Sequence, residues 1–249
     1  MEVDVVRDYI GPPRPRRSSE QGAYMGMERT TYHHGNLRQA LIEAALELAL
    51  ARGPEGVSVR EAARRVGVSP GAPFRHFPDR RALMTAVAQE ATERLRIEVR
   101  HAVRPADRSA LRRLAALGRG YLRWAERHPA HFRIVSARDQ IDVETSPGLL
   151  RGMLAGRQET EDTVRAAQAE GDIDPAHDTQ QLALLARACV YGLARMRLDG
   201  HLPQWGVAPG DETRATEAAL ALLIDLMARA ANAPGQASVS ASRPRATRA

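Results

Sequence analysis

The chain has 249 residues, enough for one large domain or two small ones, and 43% of them are hydrophobic. Its formal net charge of +6 rests on arginine alone, because the sequence contains no lysine. The single Cys189 excludes an intrachain disulfide and a cysteine-rich metal site, and no apolar stretch is long enough to span a bilayer.

Residues 1–30 contain Pro12, Pro13 and Pro15 interleaved with Arg14, Arg16 and Arg17. This pattern prevents a regular helix, so the segment is expected to be a disordered tail. It also lacks the basic, apolar, small-residue order of an export signal. Residues 232–249, Pro-, Ser-, Ala- and Arg-rich without periodicity, are expected to be a second disordered tail. The N-terminal arginines would either contact DNA phosphates and the minor groove or remain a solvated tail without function.

Asn36 is expected to cap a first helix, with Gln39 completing a capping box. Leu37, Leu41, Ala44, Ala45 and Leu48 share one face, and Gly53-Pro54 ends the helix. Ser58 caps a second helix with Glu61 three residues on, a buried stripe of Val59, Ala62, Ala63 and Val66, and Gly67 as its stop. Ser69-Pro70 reads as the cap and first residue of a third helix, with Pro73 stiffening its first turn. Asp79 caps a fourth that runs to about residue 101. Further helices are expected over residues 107–128, 130–140 after the interruption at Pro129, 146–170, 174–199 and 211–231, starting at Ser146-Pro147 and Asp174-Pro175 in two cases. Alanine and leucine dominate throughout and β-branched runs are missing. The fold class is therefore all-α, with about nine helices. A small unit over residues 31–83 precedes a larger one over residues 84–231.

Two short helices joined by Gly67-Val68-Ser69 have helix-turn-helix dimensions. Val59, Ala63, Val66, Val68, Phe74 and Phe77 can share a core with Leu41, Ala45 and Leu48. The exposed positions then carry Arg60, Arg64, Arg75, His76 and Arg80. A basic face beside a free helix start favours phosphate, and side chains facing the groove read bases.

The stretch from "YHHGNLRQALIEAALELALARG" through "VSVREAARRVGVSPGAPFRHFPDRRAL", Tyr32 to about Leu83, resembles the TetR family of transcriptional regulators. The resemblance implies a homodimer with an N-terminal DNA-binding domain and a divergent C-terminal domain that binds a small molecule and lowers DNA affinity. The implied operator contacts are Ser69, Pro70, Gly71, Phe74, Arg75, His76 and Arg80, to which we add Arg38 and Arg60. Phe74 stands where the family has tyrosine, and Arg80 where it has lysine; Arg81 replaces a frequent acid. "YHHGNLR", together with "LRWAERHPAHFRIV" and "RACVYGLARMRLDG", is similar to a subgroup of that family, although Arg187 and Tyr191 replace its Trp and His.

In the second half, Tyr121, Trp124, Phe132, Met153, Arg187 and Tyr191 are the expected wall of an effector pocket, with Tyr121, Arg187 and Tyr191 as its polar groups. Leu182, Leu185, Ala186, Cys189 and Leu193, with Ala215, Ala218, Ala219, Leu222 and Leu226, suit a homodimer through the last two helices. The adjacent His33-His34 has no third ligand nearby and is not expected to hold metal. His128, His131 and Asp139 lack a nucleophile or phosphate loop, so an enzyme is not expected, nor a cofactor. The function read from the sequence is a cytoplasmic repressor that binds a palindromic double-stranded operator and is released by an unknown small molecule. The alternatives are a helical protein-interaction module or a constitutive DNA binder without ligand response.

Overall fold

In a computed structural model, residues 34–230 are described. The expected tails over 1–30 and 232–249, and His33, lie outside them. The described residues form eight α-helices and no strand: α1 (His34–Arg52), α2 (Val59–Val66), α3 (Arg80–Ala102), α4 (Ala110–Arg127), α5 (Pro129–Ser136), α6 (Pro147–Ala169), α7 (Thr179–Leu198) and α8 (Glu212–Ala230). Three 3-10 turns join them, at Pro54–Gly56, Ala72–Arg75 and Leu202–Trp205.

Several boundaries follow directly from caps. The Ser58 hydroxyl accepts from the Glu61 N–H, and Gly67 ends α2 in the left-handed region at φ 78°. The Asp79 carboxylate accepts from Ala82 N–H to start α3, and Ser146 accepts from Leu149 N–H to start α6. Glu61 does not complete the capping box, because Arg64 holds its carboxylate at 2.5 Å.

Other boundaries differ from expectation. The expected third α-helix is a four-residue 3-10 turn, which leaves eight helices rather than nine. The reason is Pro73. It has no N–H, so the Ser69 carbonyl cannot receive a bond from four residues on and takes the Ala72 N–H at 3.1 Å instead. The turn closes when the Pro73 carbonyl accepts from both His76 and Phe77, each at 2.9 Å. Asn36 lies inside α1 rather than capping it, and Gln39 donates to Glu43 and Glu90. Asp107 and Asp174 make turns rather than caps, accepting from Arg104 and Ala176 N–H groups. Ser109 and Asp178 cap α4 and α7 in their place.

Two buried clusters organise the body. The first joins Leu41, Ala45 and Leu48 of α1, Val59 and Ala62 of α2, Phe77, and Leu83, Met84 and Val87 of α3. It also takes in Ile134 of α5, Ile141, Val143 and Leu149. Phe74, expected in this core, is 43% exposed, because the 3-10 turn rotates it outward while Pro73 goes in. The second cluster packs α4 against α5, α6, α7 and α8 through Tyr121, Trp124, Phe132, Val164, Val190, Leu220 and Ile224. Gly120 sets how closely α3 and α4 approach: a Cβ there would lie 2.7 Å from Ala102 Cβ and 3.1 Å from Val99 Cα.

Candidate functional site

The first region of interest is the tip formed by α2 and the turn after it. Gly67, in the left-handed region, reverses the chain so that Ser69, Pro70, Gly71, Phe74 and Arg75 stand together at the surface. Space beyond Gly71 is open, with nothing within 4 Å of an added Cβ. Phe77 anchors the segment in the core, and the Arg38 guanidinium lies 5.5 Å over its ring, beside the tip. Arg60 projects from the outer face of α2. Among the described residues, Arg38, Arg60 and Arg75 have no carboxylate partner. By contrast, Arg64 and Arg65 are paired with Glu61 and Glu47, and the Arg64 guanidinium holds the Glu61 carboxyl below its ordinary range. The charges of Arg38, Arg60 and Arg75 are therefore not neutralised by a carboxylate among the described residues. His76 is half-buried at the edge of the same surface.

Arg80 takes a position that its expected DNA contact does not describe. Its guanidinium donates to the Val57 and Pro54 carbonyls, each at 2.8 Å, and to Gln140 Oε1 at 2.6 Å. Gln140 in turn donates to Glu55. The Pro54 carbonyl already accepts from the Val57 N–H at 3.2 Å, and the guanidinium fork adds a second donor there while meeting the Val57 carbonyl. Arg81 behaves alike, donating to the Asp139 carbonyl at 2.7 Å and the Ile141 carbonyl at 3.2 Å. Thr85 accepts from the Asp142 N–H at 2.9 Å. One turn and a half of α3 is thus pinned to the loop after α5.

The second region is a partly open cavity of about 880 Å³ lined by α3, α4, α5, α6, α7 and α8. All six residues expected at a pocket wall, Tyr121, Trp124, Phe132, Met153, Arg187 and Tyr191, are brought to this one wall. The Arg187 guanidinium lies 4.3 Å over the Tyr121 ring, and Tyr191 stacks on Phe132 at 5.6 Å. Burial pushes the Tyr121 phenol above its ordinary range. The sequence reading missed Thr92, Leu95, Arg96 and Val99 of α3, and Arg157 and Glu161 of α6. Glu161 is 6% exposed and accepts from Arg157 Nε at 2.6 Å. The signal for the α3 group is a polar pair, Thr92 and Arg96, four residues apart within an apolar stripe.

His128 and His131 lie outside this wall. His128 Nε2 is 2.7 Å from Glu98 Oε1. His131 meets it edge-on at 5.4 Å, and burial lowers the His131 pKa to about 4. No helix among the described residues is long and apolar enough to cross a membrane.

Residues 41–87 match the family model for bacterial regulatory proteins of the tetR family. Residues 114–223 match the model for the tetracyclin repressor-like C-terminal domain. Among solved structures, the chain is similar to a protein of unknown function from Rhodococcus sp. RHA1. The two share 32% identity over 80% of this chain and all of that one, with a TM-score of 0.68. A bacterial regulatory protein of the tetR family from Rhodococcus RHA1 shares the fold at 19% identity, covering 77% of this chain and 96% of that one, TM-score 0.61. So does the ketosteroid transcriptional regulator KstR2 of Mycobacterium tuberculosis, at 19% identity, 77% and 94% coverage and TM-score 0.56. No curated protein matches the chain.

Proposed function

Because the chain belongs to the TetR family of bacterial regulatory proteins, we propose that it is a repressor that binds a palindromic operator and leaves it when a small molecule occupies the cavity. Members of the family are dimeric, ligand-responsive DNA-binding regulators rather than enzymes. The observation that carries the operator reading is the exposed tip: Ser69, Pro70, Gly71, Phe74 and Arg75 together, flanked by unpaired Arg60 and Arg38. Backbone and arginine groups there neutralise phosphates, and the small residues at 69–71 let the backbone approach the groove. His76 completes the set at its edge. Phe74 supplies no hydroxyl, so its part is apolar contact. Residues 31–83 form the DNA-binding unit and residues 84–231 the effector and dimerisation unit of a cytoplasmic protein.

The dimer uses the outer faces of α7 and α8. Both helices carry two apolar faces. Ala183, Ala186, Val190 and Ala194 of α7, with Leu220, Ile224 and Met227 of α8, pack inward. Leu184, Leu185, Leu222 and Leu226 remain 68%, 50%, 60% and 57% exposed, an apolar surface that a second copy would cover about a twofold axis.

Helix α3 couples the two sites. Its later turns, through Thr92, Leu95, Arg96 and Val99, form cavity wall, and its first turns, through Arg80, Arg81 and Thr85, hold the loop at 139–142. The same loop continues from Val135, Ser136 and Arg138, which also line the cavity. A ligand that favours one cavity shape biases the position of the DNA-binding unit, and operator binding biases the cavity in return. Selecting duplexes from a random pool with the purified protein tests the reading. Enrichment of an inverted repeat, bound by the dimer and released by a cavity ligand, supports it; absence of any enriched sequence removes it.

A further inference from the structure

The cavity has an unusual deficit. Three side-chain groups on its wall are buried with no hydrogen-bond partner among the described residues: Thr92 Oγ1, Arg96 Nε and Trp124 Nε1. Thr92 is 5% exposed and Trp124 1%. Leaving such a donor unmet costs free energy, and more when it is charged. Thr92 and Arg96 lie four residues apart on one face of α3, and Trp124 stands on α4, the helix packed against it. All three can donate, and two of them can only donate.

The charges around the cavity point the same way. Its acids are already engaged: Glu161 by Arg157 at 2.6 Å, Glu159 by Arg100 at 3.1 Å, and Asp178 by the Gln181 N–H at 2.8 Å. Its cations are not all engaged. Arg96 gives Glu93 one terminal nitrogen at 2.7 Å and keeps its buried Nε unmet. Arg138 reaches only the Met153 sulfur, and Arg187 only the Tyr121 and Tyr191 rings; neither has a carboxylate partner among the described residues. Much of the remaining wall is apolar, through Leu95, Val99, Leu114, Leu117, Leu220 and Ile224, with Ser136, Thr160, Gln180 and Gln181 as further polar residues.

We propose that the cavity binds an organic carboxylate on an apolar body, its head held at the part of the wall formed by Thr92, Arg96 and Trp124, where small side-chain shifts open their unmet donors to its oxygens. This rests on reading the cavity as the effector site. An acceptor-only anion is the group that meets three donors without adding one of its own, and a charge-assisted bond to Arg96 is the strongest of the set. The volume near 880 Å³ suits a body of drug-like size, larger than a simple anion. An apolar body buries itself against the leucines and rings while its head is held at α3, the helix that reaches the DNA-binding unit.

The test uses two acids and their methyl esters, decanoate and biphenyl-4-carboxylate, titrated calorimetrically into the full-length protein at pH 7.5. At least one acid is expected to bind, and to bind about tenfold or more tightly than its ester. Thr92→Val, which keeps the side-chain shape, and Arg96→Met, which keeps the stem, are each expected to erase most of that preference. Circular dichroism of both variants should match wild type, which shows that they fold. The inference is overturned if neither acid binds, if an ester matches its acid, or if Thr92→Val and a folded Arg96→Met both keep the preference. A wild type that prefers the acids but selects no operator would sink the regulator reading and leave the carboxylate site standing.

Discussion

The Arg80 guanidinium lies 2.6 Å from Gln140 Oε1 and donates to it, across 60 residues of sequence, while its other donors hold the Val57 and Pro54 carbonyls at 2.8 Å. We propose from this contact that Arg80 serves the fold rather than the DNA surface. Arg80→Met should lower unfolding stability by roughly 1–3 kcal/mol, because the Val57 carbonyl and Gln140 lose their donor and the Pro54 carbonyl loses one of two. The salt dependence of operator binding should stay as in wild type, since no phosphate contact is lost. A salt slope reduced by about one, with unchanged stability, would return Arg80 to the DNA surface. Denaturant titration and binding at several salt concentrations read the two quantities.

We propose that the outer leucines of α7 and α8 carry the dimer. Leu222→Glu combined with Leu226→Glu should give a folded monomer at micromolar concentration. Each buried leucine contributes about 1.5–3 kcal/mol, and each change acts on both protomers. Sedimentation velocity measures the state, and operator binding should fall with it. A double variant that remains dimeric would place the interface elsewhere.

Gly120 permits close packing of α3 on α4. Gly120→Ala brings a methyl to 2.7 Å from Ala102 Cβ and 3.1 Å from Val99 Cα, which is backbone and cannot swing away. The expected cost is about 1–3 kcal/mol, offset by up to about 1 kcal/mol of helix propensity. Gly156→Ala, with nothing within 4 Å, should instead be neutral or stabilising. Thermal melts of the pair measure the contrast; an unchanged melt for Gly120→Ala would show that the two helices separate freely.

His131 should make stability depend on pH in a defined window. Its native pKa, lowered by burial to about 4, lies below the unfolded value of 6.5. The unfolded chain therefore binds the proton first as pH falls. Stability should be fullest above pH 6.5 and decline toward pH 4. Partial exposure of the ring reduces the size of the effect. His131→Gln should flatten the melting temperature between pH 7 and pH 5; a wild-type slope in that variant would assign the titration to another group.

The sequence made α2 and its flanks readable because local signals agree there: Ser58 caps, Gly67 stops, and Asp79 restarts. It misread the next segment because Ser69-Pro70 is a sound helix start taken alone, and only the missing Pro73 N–H turns it into a 3-10 turn. The aromatic wall was legible as large side chains at helical spacing on α4, α5 and α7. Thr92 and Arg96 were not, because on α3 they look like ordinary surface polar residues until α4 and α6 cover them. The inward turn of Arg80 depends on Gln140 and on turn carbonyls distant in sequence, which no local pattern encodes.

The central claim is that the tip around Arg60 and Ser69–Arg75 reads an operator. The direct measurement is the affinity of wild type and of the Arg60→Ala/Arg75→Ala variant for the duplex selected from a random pool, at 50 and 200 mM salt. Wild type should lose affinity steeply as salt rises. The variant should bind at least tenfold more weakly at low salt, with a slope shallower by about two, while its dimer and its melting temperature stay unchanged. Equal affinities and slopes for the two proteins would contradict the account.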